Sequence, residues 1–508
     1  MTAPATTHDR PRPEPREDHE AALAALGDRV REDLAATDPR TSWSDPEDAD
    51  VAVAIVGGGQ AGLATAFALR RAGVGSVTVI DDQPAHRVGC WDDYARMHTL
   101  RSPKHMRGIE LDCPSLHVQR WFEARYGEDA WESIDLVPRL DWHDYLLWYR
   151  QVLELPVRHD TRVEAVSAPA ADGGPFRLAL SDGTELTARR VVFALGLDGG
   201  GARTMPGFVA ALPEHVRAHT ADPIDFAALA GKRVAVLGGG ASGFDNAACA
   251  LEAGAADVQV HMRRTEVPNE NPLRWMEFPG MQDHFADLDD EDRWAFGIFN
   301  GGLPQPPTQA SIWRCMEHAN FELVMGSPWQ SVEWVPAEGA GAPKGSGDDA
   351  EGDGFVRIVT AGGREVEADY VIAATGYRVD LSARPELAEF VDDIALWSDV
   401  HDWARGAMAA CPYLGDGFQF TPKEGAPGYI GRLFHLSTGA RASMGVAGNQ
   451  LSGIHAGVRR VARRVAADIT REKWSGLYAS FQDFHHVEIT SVAPHAEGDA
   501  PYPSGPRY

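Results

Sequence analysis

The stretch Val51–Asp81, VAVAIVGGGQAGLATAFALRRAGVGSVTVID, decides the fold. Its first six residues, VAVAIV (51–56), are a continuous apolar run of the kind that forms a strand buried on both faces. Gly57, Gly59 and Gly62 then fill a G-x-G-x-x-G spacing, LATAFALRRAG (63–73) reads as a helix, and VTVI (77–80) as a second strand. In that setting the first glycine permits the tight turn, the second lets the backbone approach a pyrophosphate, and the third lets the helix pack on the strand. Gln60 and Ala61 open the helix, whose N-terminus would carry the pyrophosphate. Asp81, the first residue past the apolar run of the second strand, is placed to accept hydrogen bonds from a ribose diol. These residues specify a dinucleotide without saying which one.

The unit recurs from Arg233 as RVAVL (233–237), GGGASG (238–243), FDNAACALEAG (244–254) and VQVHM (258–262). Gly238, Gly240 and Gly243 repeat the spacing, and Ser242 lies in the first turn of the second helix. The second strand of this copy runs into Arg263 and Arg264, where the first copy has carboxylates. Guanidinium groups there can take the 2′-phosphate of NADP by bidentate hydrogen bonds, so the second site should prefer NADPH; a solvated basic pair is the plainer reading. Each copy is followed by a strand with a small-residue end, VVFALG (191–196) and YVIAATG (370–376). A repeat of about 180 residues is a duplicated domain theme and not a solenoid.

The expected fold is therefore α/β, with two Rossmann-like, doubly wound, parallel-sheet dinucleotide-binding domains, the second inserted into a discontinuous first. Residues 1–49 read as an acidic, Pro-rich tail with a peripheral helix whose apolar spacing is Leu23, Leu26, Val30 and Leu34. The first domain is then 50–229 and 367–470, the second 230–366, and 471–508 a C-terminal tail. PRLDWHDYLLWYRQVLEL (138–155) reads as a helix, and residues 337–354 as a flexible hairpin loop.

Composition narrows the class. With 508 residues and 44% hydrophobic content the chain can bury a sizeable core. Its 47 Lys and Arg against 74 Asp and Glu give a formal charge of -27, which repels nucleic acid and anionic membrane surfaces. The N-terminus lacks the pattern of a secretory signal, which makes the cytoplasm the expected location. The five cysteines, Cys90, Cys113, Cys249, Cys315 and Cys411, stand far apart with no C-x-x-C, so neither a redox pair nor a zinc site is indicated. Adjacent histidines such as His485 and His486 do not face one another on a helix, and no G-x-S-x-G elbow is present.

With those motifs in place, the chain resembles the class B flavoprotein monooxygenases, a group spanning N-hydroxylating, dimethylaniline-type and Baeyer–Villiger enzymes, from Val51 to about Ile469. The resemblance implies FAD in the first site and NADPH in the second. It matches Gly89-Cys90-Trp91 with Tyr94 to a G-x-W loop beside the flavin, and Ala374-Thr375-Gly376-Tyr377, with Asp369 upstream, to the A-T-G-[YF] signature. By the same resemblance the helix from about Leu451 points its N-terminus at the flavin pyrimidine, with Gly445 and Asn449 as backbone contacts. The sequence departs from the family where Pro213 and His215 replace the Phe and Gly of F-x-G-x-x-x-H, leaving only His219 in register, and Pro223 stands where an aromatic is usual. That demotes Baeyer–Villiger chemistry.

Arg101, Lys104 and His105 follow the G-x-W loop and are the candidate catalytic residues, the cations to hold a cofactor or an anionic substrate and the imidazole to shuttle a proton. Residues 268–307 read as a substrate-covering insertion. The expected activity is insertion of one oxygen atom from O2 into a small molecule at the expense of NADPH, with nitrogen hydroxylation favoured and a homo-oligomer allowed. An NADPH-dependent flavin reductase without oxygenation, or a redox sensor, is the alternative.

Overall fold

Two parallel sheets organise the chain, one around each glycine-rich turn. A computed structural model describes residues 12–171, 173–337, 354–447 and 450–486, together with 489, 492 and 494. In the first sheet β1 (Val51–Val56) lies between β2 (Val77–Ile80) and β6 (Glu185–Gly196), all parallel. The short β3 (Val157–Arg158) extends it beyond β2. β4 (Val163–Ser167) and β5 (Phe176–Leu180) form an antiparallel flap on β6. The seventh strand, β17 (Leu433–Ser437), comes from far down the chain and pairs parallel with β6. Every residue of β1 is buried, as its unbroken apolar run requires of a strand covered on both faces.

The second sheet is wholly parallel in the order β11-β10-β9-β15-β8. These strands are β8 (Arg217–His219), β9 (Arg233–Leu237), β10 (Asp257–His261), β11 (Phe321–Val324) and β15 (Tyr370–Ala373). A three-stranded antiparallel layer, β12 (Trp329–Pro336), β13 (Gly354–Thr360) and β14 (Glu365–Ala368), packs beside it. A two-stranded ribbon of β7 (Gly201–Arg203) and β16 (Tyr377–Val379) joins the two sheets.

The duplication read from the sequence is thus repeated in space: β6 stands beside β1 as β15 stands beside β9. The domain boundaries need correction. β8 precedes residue 230 and β15 follows 366, yet both belong to the second sheet. A strand is assigned by its neighbours, and those neighbours are invisible to a local pattern.

Among the helices, α1 (His19–Thr37) buries Leu26, Val30 and Leu34 against the first core, as its spacing predicts. α2 (Gln60–Arg71) and α4 (Ala241–Glu252) follow the two glycine turns, and α3 (Arg139–Val152) is the aromatic-rich helix. The insertion carries α5 (Asp290–Gly302), followed by α6 (Gln309–Met316). α7 (Leu451–Gln482) starts where expected but runs 32 residues, so the proposed tail from 471 begins as helix. Residues 338–353 of the expected hairpin loop lie outside the described residues; the strands they join are paired up to Pro336 and Gly354. No described helix is long and apolar enough to cross a membrane.

Candidate cofactor and active site

The six motif glycines divide by what confines them. Gly57 and Gly238 have φ of 104° and 122°, a region that disfavours side chains. A Cβ on Gly57 would lie 2.6 Å from the Ala194 carbonyl oxygen at the end of β6, and one on Gly238 would strike the matching carbonyl of Ala374. At Gly62 and Gly243 a Cβ would run into the carbonyls of Gly57 and Gly238. These four glycines are required by the protein's own backbone.

Gly59 and Gly240 are not. Gly59 has φ -70° and ψ -175°, Gly240 has φ -85° and ψ -179°, both accessible to any residue. A Cβ on Gly59 would meet only Gly89 Cα, at 3.6 Å, and one on Gly240 would meet nothing within 4 Å. Nothing inside the protein demands glycine there, and each opens at a helix N-terminus, where backbone N–H groups await an anion. The two turns therefore fit the pyrophosphates of two dinucleotides.

Around the first turn, Trp142 on α3 donates its indole N–H to Gln60 Oε1 at 3.2 Å and meets Trp91 edge to face at 6.5 Å. This brings the G-x-W loop beside the turn, together with Trp142. Ala61 is buried behind it. Asp81 is buried and accepts from the backbone N–H groups of Gly58 and Gln83, the second at 2.7 Å. Burial nonetheless raises its pKa above the ordinary value. Its first task is to brace the turn; the remaining lone pairs are what a ribose could use.

In the second turn Ser242 is exposed, and its carbonyl accepts from Asn246 at 2.7 Å. Arg263 and Arg264 stand exposed just beyond β10, with no ion pair among the described residues. Asp245, missed from the sequence, is buried in α4, where it accepts from Ser311 Oγ at 2.5 Å and lies 3.7 Å from Arg314.

Other site residues have partners that spacing does not reveal. Lys104 donates to the Trp131 carbonyl at 2.8 Å and sits 5.1 Å over the Trp131 ring, while His105 meets the same ring edge-on. Both are held against a buried tryptophan, Lys104 part-exposed and His105 exposed. Arg101 reaches the insertion, donating to the Pro306 carbonyl at 2.9 Å, and Asp245 offsets part of its desolvation. It remains at the junction of the domains. The Thr375 hydroxyl donates to the Thr204 carbonyl, and the Gly376 carbonyl accepts from Thr204 N at 2.8 Å and lies 3.1 Å from His219 Nε2. These residues tie the ribbon that joins the two sheets. Asn449 lies outside the described residues; Gly445, with φ 61°, packs against Phe285 of the insertion.

The insertion is fastened to the first domain. Asp290 accepts from Tyr413 at 2.8 Å and pairs with His401 at 2.6 Å, Arg293 donates to the Ser443 carbonyl at 3.0 Å, and Arg460 binds Asp287 at 2.7 Å. Residues 279–302 thereby cover the segment between β17 and α7.

All five cysteines are free thiols, and burial pushes Cys90, Cys249 and Cys411 up to about 11 and Cys315 up to about 12. Neutral thiols are poor nucleophiles. Replacing each cysteine singly by serine or alanine should therefore leave NADPH oxidation largely intact; a variant that stays folded but loses flavin reoxidation would establish a thiol mechanism.

Two buried histidines set an acid limit. His435 on β17 lies 2.7 Å from Ser437 Oγ through Nε2, and its Nδ1 has no partner among the described residues. Burial lowers it to about 3, and His261 on β10 to about 4. Below about pH 6.5 the unfolded chain takes up protons that the folded protein refuses, so stability is full above that value and falls toward pH 4, by about 1.4 kcal/mol per pH unit for each group. Urea midpoints at pH 7 and 4.5 should show this, with a shallower dependence in His435→Asn; identical slopes would exclude His435.

Residues 54–291 match the family described as pyridine nucleotide-disulphide oxidoreductase. The chain is 39% identical over 450 residues to an FAD-dependent urate hydroxylase of Xanthomonas campestris pv. campestris, covering 87% of this chain and 91% of that protein. Among solved structures it is similar to an ornithine N-hydroxylase of Kutzneria sp. 744, determined with reduced FAD, NADP+ and L-ornithine (TM-score 0.62, 16% identity, 83% of this chain and 99% of that one). It is also similar to the ornithine hydroxylase of Pseudomonas aeruginosa (TM-score 0.61, 15% identity, 82% and 99%). The two ornithine hydroxylases share the fold.

Proposed function

The chain belongs to the class B flavoprotein monooxygenases, and from that premise we propose that it uses FAD and NADPH to insert one oxygen atom into a small, nitrogen-rich, oxygenated ring of which urate is the first example to test. The observation that carries the cofactor reading is the pair of open glycines, Gly59 and Gly240, at two helix N-termini in matching positions. The substrate class follows the relative with 39% identity across most of both chains.

Bound FAD supplies hydride acceptance and the activation of O2. The protein's residues bind and orient. The first turn, with Gln60, Trp91 and Trp142 around it, would hold FAD, and Asp81 would brace both the turn and the ribose. Arg263 and Arg264 would read the 2′-phosphate of NADPH. The insertion, locked through Asp290 and Arg293, would keep water from the reacting atoms.

Urate should accelerate oxygen-dependent NADPH oxidation by the purified holoenzyme, with one O2 consumed per product formed. NADPH oxidation stimulated by amines such as ornithine but not by urate would favour the second reading, nitrogen hydroxylation, to which Ala374-Thr375-Gly376-Tyr377 points. Anaerobic turnover with an artificial acceptor, and no oxygenated product in air, would identify a flavin dehydrogenase.

A further inference from the structure

From Leu433 to Ala447 the chain is buried except at a few positions, and between Gly439 and Met444 every residue but Arg441 is buried. Arg441 is exposed in the middle of an otherwise buried segment, so its side chain turns outward there while protein still crowds and desolvates it. Arg441 lies at the carboxyl end of the first sheet. Arg441 is four residues past the end of β17, and the preceding turn lies on the residues that follow β6, since a Cβ on Gly200 would sit 2.9 Å from Gly439 N. In open α/β sheets ligands bind at this edge. The second domain's insertion meets the same segment, where Arg293 donates to the Ser443 carbonyl.

Among the described residues the Arg441 guanidinium has no hydrogen bond and no ion pair. With 74 acidic residues to 47 basic ones, a carboxylate is available to most arginines, and Arg203, Arg233, Arg293, Arg314 and Arg460 all have one. Desolvation by the surrounding protein lowers the Arg441 pKa, and the acidic group whose field reaches it, Cys411, is a neutral thiol. An anionic ligand at Arg441 would supply the counter-charge the protein does not, and a guanidinium contact to an anionic oxygen is among the stronger hydrogen bonds.

We infer that Arg441 is the residue that recognises the substrate, binding an anionic oxygen of it at the junction of the two domains, and that the enzyme selects small molecules carrying a negative charge. The inference rests on the monooxygenase reading above and narrows its substrate class to anions, among which urate is one at neutral pH.

The test follows the absorbance of the oxidised flavin while holoenzyme is titrated with urate, with uncharged caffeine and with benzoate, in the wild type, Arg441→Met and Arg441→Lys. The expected result is that Arg441→Met binds urate about 10- to 100-fold more weakly, the range for one hydrogen-bonded charge contact. Arg441→Lys should retain part of the affinity, caffeine should be indifferent to both changes, and FAD content and the Michaelis constant for NADPH should hold. Unaltered urate binding in Arg441→Met overturns the inference. So does a loss confined to FAD retention or to NADPH, which would make a cofactor the anion. If the wild type ignores urate, the urate reading fails and benzoate decides Arg441. A benzoate response lost in Arg441→Met supports the assignment, whereas a response equal in both proteins, or none in the wild type, removes it.

Discussion

Gly59→Val should yield a folded protein that purifies without its yellow colour. The backbone at Gly59 is in a conformation open to valine, and the added Cβ meets only Gly89 Cα at 3.6 Å, so the fold is not strained. What the side chain occupies is the approach of the pyrophosphate to the helix N-terminus. Loss of a charged contact of that kind costs about 1.5 to 3 kcal/mol, so FAD retention should fall at least about tenfold. Gly240→Val is the counterpart: it should keep FAD and fail in reduction by NADPH. Gly62→Val, by contrast, should not fold, because its Cβ overlaps the Gly57 carbonyl. Circular dichroism and flavin absorbance together separate the three, and a Gly59→Val protein with a full complement of FAD would refute the assignment of the first turn.

Replacing Arg263 and Arg264 together by glutamine should raise the Michaelis constant for NADPH by about tenfold or more while leaving that for NADH nearly unchanged. The 2′-phosphate is dianionic near neutral pH, and hydrogen bonds to charged groups contribute about 1.5 to 3 kcal/mol, of which exposed arginines realise the lower part. Both side chains are exposed beyond β10 and free of ion pairs among the described residues, so their removal leaves no buried partner stranded. Bound FAD should be untouched. Anaerobic flavin reduction with each nucleotide measures the effect; equal losses with both, or a wild type that prefers NADH, would show that the pair does not read the phosphate.

What could be read in advance was local. The two glycine turns, the strand before each, Asp81 and the Arg263-Arg264 pair are contained within about thirty residues apiece, the span of one βαβ unit. The trio Arg101, Lys104 and His105 shows where such reading stops. Spacing groups all three after the G-x-W loop, but it does not reveal that Lys104 and His105 both lean on Trp131. Trp142 touches Gln60 across 82 positions, and Asp290 pairs with His401 across 111. No periodicity announces such contacts. The same reason misplaced β8 and β15, each too short to declare which sheet it completes.

The place of β17 has a consequence for how the chain acquires its shape during synthesis. All five of its residues are buried, and its partner β6 has been made more than 230 residues earlier. A ribosome adding about 5 to 20 residues per second leaves the edge of β6 uncovered for on the order of ten seconds or more. During that interval the apolar run VVFALG is a parallel edge without a mate, the kind of surface to which other chains adhere. The second sheet can close first, because β15 is released some sixty residues ahead of β17. Nascent chains stalled between the two strands would hold a finished second domain beside an incomplete first one, and in the cell that species is the one most in need of a chaperone.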